Sequence, residues 1–192
     1  MEKLRDGVLC MERKNRWIAI RTMICAGLIT VVAVGDQWLK YKVEKQDPDS
    51  FPRPFPGTKD KIWVYRNHNG GFPFGFMEKH RELVRLIPMT LTSVLIGSLM
   101  EMMRTKGRRM EKICMSLTIG GSLSNLYDRY VRGYVVDYFS LRFGFLKEVV
   151  FNLGDICIFL GSGLLLFCPY CAGKGVCPAS AEISIDKKQE VV

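Results

Sequence analysis

The sequence predicts a mainly α membrane protein, with four transmembrane helices and a small strand-rich extracytoplasmic cap. Three observations predict it. Hydrophobic residues make up 48% of the 192-residue chain, but they gather into four runs separated by very polar connections, unlike the mixing of a soluble core. A helix needs about 20 residues to cross a hydrocarbon layer of about 30 Å, and three of the runs suffice. The most basic short connection lies between the second and third runs, as expected of a cytoplasmic loop. No internal period points to repeats, so one domain is expected.

Run one, "WIAIRTMICAGLITVVAVG" (17–35), leads into "DQWLK" and predicts a helix over about 17–40. Its basic start at Arg13, Lys14 and Arg16 and its small residues Ala33 and Gly35 also fit a cleavable leader. The polar pattern that follows makes sense only if the helix stays. The segment from about 45 to 80 forms the outer cap: "QDPDSFPRPFPGTKD" is turn-rich and "KIWVYRN" has strand composition. Run two, "LVRLIPMTLTSVLIGSLMEMM", gives a helix over 83–103. The connection after it sets Arg104, Lys106, Arg108, Arg109 and Lys112 against only Glu111, which puts it in the cytoplasm. Run three, "ICMSLTIGGSLSNLY", spans only if it continues through Asp128 and Arg129, as a helix over 113–134. The outer piece "YFSLRFGFLKE" alternates Phe139, Leu141, Phe143 and Phe145 with more polar or small residues, the period of a strand or of a strip in the headgroup layer. Run four, "VVFNLGDICIFLGSGLLLF", gives a helix over about 149–168. The membrane domain thus covers 1–175, both termini face the cytoplasm, and 176–192 is a polar, disordered tail.

The net charge of +9 reads as attraction to anionic membrane lipids, since no basic stripe with interleaved aromatics marks a nucleic-acid partner. Seven cysteines form no disulfide framework, and Cys25, Cys114 and Cys157 in the apolar runs read as small buried residues. The spacing of Cys168, Cys171 and Cys177 hints at zinc, but a tetrahedral site wants four ligands, and His68 and His80 fall across the membrane. A reduced cytoplasmic tail is the plainer reading. No metal or cofactor is expected.

Ionised groups inside a membrane are costly and call for partners. On run three Asn125, Asp128 and Arg129 fall at i, i+3 and i+4 and share one side. Asp128 and Arg129 can pair with each other or with neighbouring polar groups, and a polar seam that merely holds helices together is the simpler alternative. Asp137 follows at the outer end of that helix and Asp155 near the outer end of the next. The helices run in opposite directions, so the two carboxylates lie at similar depth. Close carboxylates tend to share one proton. One can then act as general base on a water while its protonated partner polarises a peptide carbonyl, which is aspartic peptidase chemistry. Two acids simply exposed at the interface remain the alternative. Asn152, three residues before Asp155, is placed to hold a carboxylate or a substrate carbonyl.

Four blocks in order, "DQWLK" (36–40), "NGGFPFGF" (69–76), "GGSLSNLYDRYVRGYVVDYF" (120–139) and "FNLGD" (151–155), resemble the motifs of signal peptidase II, the bacterial lipoprotein signal peptidase. The resemblance implies that Asp137 and Asp155 are the catalytic dyad. It implies supporting or substrate-binding roles for Asn69, Gly71, Asn125, Asp128, Arg129 and Asn152, and for Asp36 and Lys40 at the ends of the first motif. Phe74 and Phe76 match the aromatics after Gly71. The departures are Ser124 where glycine is usual, Gly154 for a common alanine, and Leu39 where a small hydroxyl residue is frequent. The substrate implied is a prolipoprotein carrying a diacylglyceryl group on its cysteine, cut just before that cysteine at the bilayer surface by a monomeric enzyme. The alternatives are a small four-helix transporter, which would spread polar residues through the bilayer depth, and a lipopeptide-binding protein that does not cut.

Overall fold

A computed structural model describes residues 2–71, 79–105, 107–144, 147 and 149–173. Four helices carry the fold: α1 (Glu2–Glu44), α2 (Arg81–Met103), α3 (Arg109–Val131) and α4 (Leu153–Gly173). Between them lie the strands β1 (Arg53–Pro54), β2 (Ile62–Asn69) and β3 (Val135–Leu141). α3 packs against each of the other helices, and small residues make that possible. A Cβ on Gly120 would stand 2.9 Å from Val32 of α1, and one on Gly121 would stand 2.2 Å from the carbonyl oxygen of Gly154 in α4. The core is built by all four helices: Cys25, Leu99, Met103, Met115 and Ile119, with Leu165 packed against them. Cys25, Cys114 and Cys157 are buried free thiols.

The outside is as apolar as the inside. Val31, Val34, Leu91, Val94, Phe159, Leu160 and Leu166 are all more than half exposed, a surface that water would reject and lipid would not. Among the described residues, two helices are long and apolar enough to cross a membrane, over Met11–Glu44 and Arg81–Met103, and the apolar stretch Leu153–Phe167 of α4 is shorter. α3 is set apart by the polar side chains it buries, among them Ser116, Thr118, Ser124, Asn125 and Asp128.

The third helix ends earlier than the apolar pattern predicts. The amides of Arg132 and Gly133 both bond to the Asp128 carbonyl (2.8 and 3.0 Å), and Gly133 takes φ +85°, a conformation that favours glycine. The chain then enters β3. Asp137 therefore stands on a strand and not on a helix end. The strands form one antiparallel sheet in the order β1-β2-β3, with Asn67 opposite Asp137 and an irregularity between Val64 and Asn67. β3 takes up Phe139 and Leu141 of the alternating piece; Phe143 lies beyond it, and Phe145 is outside the described residues.

The sheet is tied to the helices at two places. At the end of α1, Glu44 bonds Arg66 (3.0 Å) and His68 (2.7 Å) of β2. At the start of α4, Phe151 exchanges backbone bonds with Phe139 (2.7 and 3.0 Å). β3 is thereby held against the first turn of α4. Cys168 and Cys171 lie on the helical backbone of α4, while Cys177 and the segment 176–192, with the disorder expected there, lie outside the described residues.

Candidate active site

Asp155 is the third residue of α4, and Asn152 sits just before the helix. The Asp155 amide donates to Asn152 Oδ1 (2.8 Å), while the Asn152 amide donates to Asp155 Oδ2 (3.2 Å). This reciprocal pair is a capping box that satisfies two helix-start amides and fixes the Asp155 rotamer. The remaining end of the same amide, Asn152 Nδ2, donates to Asp137 Oδ1 at 2.7 Å. One side chain therefore links both carboxylates. On the other oxygen of Asp137, Asn69 Nδ2 donates at 3.2 Å, and Asn69 Oδ1 accepts from the Gly71 amide (3.0 Å).

Asp137 is only 3% exposed. Burial first, and then the neighbouring Asp155 charge, push its carboxyl up from the usual 3.8 to about 7, against the opposing bonds from Asn152 and Asn69. Its neighbour on β3, Tyr138, has its phenol pushed up by burial and by the charge of Asp36.

Behind the two acids lies a fully buried ionic cluster. Lys40 Nζ contacts Asp36 Oδ2 (2.7 Å), Asp128 Oδ2 (2.9 Å) and Asn125 Oδ1 (2.8 Å). Holding that oxygen turns the other end of Asn125 outward, and its Nδ2 donates to Asp155 Oδ1 at 2.8 Å. A continuous chain of bonds thus runs from α1 through Lys40, Asn125, Asp155 and Asn152 to Asp137 and Asn69. Asp155 receives one bond and Asp137 two from carboxamides that are themselves anchored elsewhere. Arg129 reaches from α3 toward the Gly71 carbonyl (Nη2 to O, 3.4 Å), with Asp155 and Asp137 foremost among its charged neighbours.

All ten site residues marked in the sequence converge here. Of the two pairings the sequence left open for Asp128, the structure shows the one with neighbouring groups: it pairs with Lys40 and with Arg132, four residues on. Adjacent residues on a helix point about 100° apart and do not face each other, whereas i and i+4 do. Phe74 and Phe76 lie outside the described residues.

Four participants went unmarked. Gln37 Nε2 donates to Asp128 Oδ1 (3.0 Å) and Ser124 Oγ (3.0 Å). Arg132 bonds the same Asp128 oxygen and Gln37 Oε1 (3.0 Å). Ser124 Oγ donates to Asp36 Oδ2 at 2.5 Å. Tyr138 donates to Asp36 Oδ1 (3.1 Å) and accepts from the Leu153 amide (2.9 Å). The spacing of "DRYVR" carried the Arg132 pairing; nothing local marked Tyr138. Two of the three departures, Ser124 and Gly154, have a place. The Ser124 hydroxyl is one of the donors that hold Asp36, and a Cβ on Gly154 would lie 3.0 Å from Asn152 Oδ1 and the Gly121 carbonyl and 3.2 Å from Asp36 Oδ2. Glycine gives those groups room.

Residues 28–170 match the family model for signal peptidase (SPase) II. The chain belongs to the signal peptidase II family. Lipoprotein signal peptidases from Brucella ovis and Brucella canis are each 31% identical over 160 residues, covering 81% of this chain and 91% of the relative. Among solved structures, a bacterial membrane enzyme determined by the in meso method at 2.3 Å superposes with a TM-score of 0.62 and 18% identity, covering 79% of this chain and 89% of the other. A second, determined at 1.9 Å, gives a TM-score of 0.61 and 20% identity over 76% and 91%. These likenesses establish the fold, and the family match makes the chain a peptidase of the membrane-bound class.

Proposed function

We propose that this signal peptidase II family member is an aspartic endopeptidase that removes signal peptides from diacylglyceryl-modified prolipoproteins by cutting the bond before the lipidated cysteine. The observation that carries this is Asn152, whose carboxamide caps Asp155 with one end and bonds Asp137 with the other. It sets two carboxylates from different elements side by side, Asp137 buried and Asp155 partly so. The family match and the curated relatives, lipoprotein signal peptidases by name, supply the substrate class.

In the mechanism the dyad shares one proton. The ionised carboxylate takes a proton from a water, which attacks the scissile carbonyl carbon. The protonated carboxyl donates to the carbonyl oxygen as charge develops there. Proton return to the amide nitrogen releases the signal peptide and a new amino terminus on the lipidated cysteine. Asn69, Gly71, Asn125, Asn152 and Arg129 hold the acids and the peptide backbone. Asp36, Lys40 and Asp128 fix the scaffold behind them. No metal or cofactor takes part.

The same reading sets four helices across the membrane, with the sheet and dyad on the extracytoplasmic face and both termini in the cytoplasm. The bond network supports this arrangement. Gln37 meets Ser124 and Asp128, while Arg21 meets the Thr105 carbonyl at the opposite end, so α1 and α3 rise together toward the sheet. The basic connection before α3 sits at the far end, where the positive-inside rule places cytoplasmic charge. The protein acts as a monomer.

The test is cleavage of a diacylglyceryl-modified prolipoprotein by the purified protein in detergent, beside Asp137→Asn and Asp155→Asn. The wild type should cut before the lipidated cysteine and both folded variants should fall by at least about a thousandfold. Binding of the lipidated peptide without cleavage would overturn the peptidase reading.

A further inference from the structure

A groove of about 590 Å³ runs between α1 and α3 on the membrane-facing surface, lined by Ala33, Val34, Trp38, Leu123 and Tyr127, with Tyr41 and Arg132 at its sheet end. From Ala33 to Tyr41 it follows α1 for about 12 Å of helix rise. That is room for part of one acyl chain. Its mouth is cationic and aromatic. Lys42 Nζ stands 4.0 Å over the Trp38 ring, and Lys45 Nζ stands 4.7 Å over Tyr41. Arg132 engages Asp128 and Gln37 through one nitrogen, Nη1.

Charge and polarity are thus graded along the groove, apolar below and positive at the level where tryptophan and tyrosine seek the membrane interface. We propose that the groove is a binding site for one anionic phospholipid, its chain along Val34 and Leu123 and its phosphate held by Arg132, Lys42 and Lys45. An acyl chain gains little by leaving the bilayer for an apolar groove, because lipid tails are already apolar surroundings. Selectivity must therefore come from the headgroup, where three cations favour a net negative charge over a zwitterion. Glu44, the acid nearest along α1, is occupied by Arg66 and His68, and Asp128, buried behind the groove, is shared between Lys40 and one nitrogen of Arg132, so Lys42 and Lys45 carry most of the uncompensated charge. The back wall, Gln37 and Ser124, also bonds the buried cluster, so the lipid would rest against the scaffold that orients Asn125.

The site is read without substrate, so its fate is independent of the cleavage reading. Full-length protein is placed in nanodiscs containing equal amounts of phosphatidylglycerol and phosphatidylcholine with matched chains. The phospholipid retained after mild detergent extraction is then counted by native mass spectrometry. One retained phosphatidylglycerol per chain is expected, preferred over phosphatidylcholine by about tenfold. Val34→Trp and Leu123→Trp, each filling the groove from a different wall, should lose it while keeping the wild-type circular dichroism. Lys42→Gln with Lys45→Gln should keep a bound lipid but abolish most of the headgroup preference. Equal retention of both lipids by the wild type, or unchanged retention in both folded tryptophan variants, would overturn the proposal. So would displacement by an uncharged diacylglyceryl peptide, which would give the groove to substrate.

Discussion

Asp137 is held in a state that depends on its neighbours, and the sign of that dependence can be worked out. In the folded chain its carboxyl is raised from 3.8 to about 7. Between those values the folded chain keeps a proton that the unfolded chain has released. The stabilisation this contributes is fully present below about pH 3.8 and is lost as pH rises through about 7. Activity should fall over the same upper range, because a dyad with no shared proton has lost its acid. A pH profile of kcat/KM checks this, and a profile flat from pH 6 to about 9 would contradict it. Asn69 favours the ionised form through its 3.2 Å bond, so Asn69→Ala should move the alkaline fall to higher pH. Lys40 poses a different question, since it is wholly buried with Asp36 and Asp128. Lys40→Met leaves Asp36 without its cation and removes from Asp128 the ammonium bonded to Oδ2. The expected loss is about 3–5 kcal/mol of stability, read by thermal unfolding in detergent. The sequence showed that Asp36 and Lys40 share a helix face, because i and i+4 always do. It could not show that Asp128 completes the cluster, since that contact joins residues 40 and 128 through folding alone.

At the scale of elements, the contact between α3 and α4 decides whether Asn125 reaches Asp155. The two helices meet at Gly121 and Gly154 with backbone against backbone, and a Cβ at Gly121 would fall 2.2 Å from the Gly154 carbonyl. No rotamer change relieves that clash. Gly121→Ala should therefore part the helices, cost about 1–3 kcal/mol and reduce cleavage through the lost 2.8 Å bond from Asn125 to Asp155. Gly163, in the same helix α4, has open space around its Cβ position. Gly163→Ala should instead stabilise the helix by up to about 1 kcal/mol. Paired thermal melts of the two variants check the contrast, and shifts of the same sign would refute the packing account. The helices themselves were legible from apolar runs, and their ends less so. α3 stops at Val131 because a positive-φ glycine starts the strand, a tertiary decision that a 20-residue window does not contain. β2 was legible in "KIWVYRN", whereas β3 begins at Val135, within a motif first read as the end of a helix.

For the whole molecule, the ionisable groups are not spread evenly through its depth. Asp36, Lys40, Asn125, Asp128, Asp137, Asn152 and Asp155 form one bonded group beneath the sheet, while Cys25, Leu99, Met103, Met115 and Ile119 fill the opposite half. An ion path would need polar groups available through both halves, and the lower half offers a packed apolar core in which the buried hydroxyls of Ser116 and Thr118 bond carbonyls of their own helix (2.8 and 3.0 Å). Lys112 lies near the far end and spends its ammonium on the Thr105 and Gly107 carbonyls (2.9 and 3.0 Å). The asymmetry makes orientation testable. If lipid-linked substrate is met at the outer surface, the turn before β2 must face outward and the basic connection before α3 must face the cytoplasm. With Cys10, Cys168, Cys171 and Cys177 changed to serine to remove the thiols near both ends of the chain, Lys59→Cys should react with a membrane-impermeant maleimide in intact cells. Thr105→Cys should react only after the cells are opened. The reverse pattern would put the dyad on the cytoplasmic face, where a secreted precursor's cleavage site would not reach it, and reaction of both in intact cells would break the four-crossing arrangement.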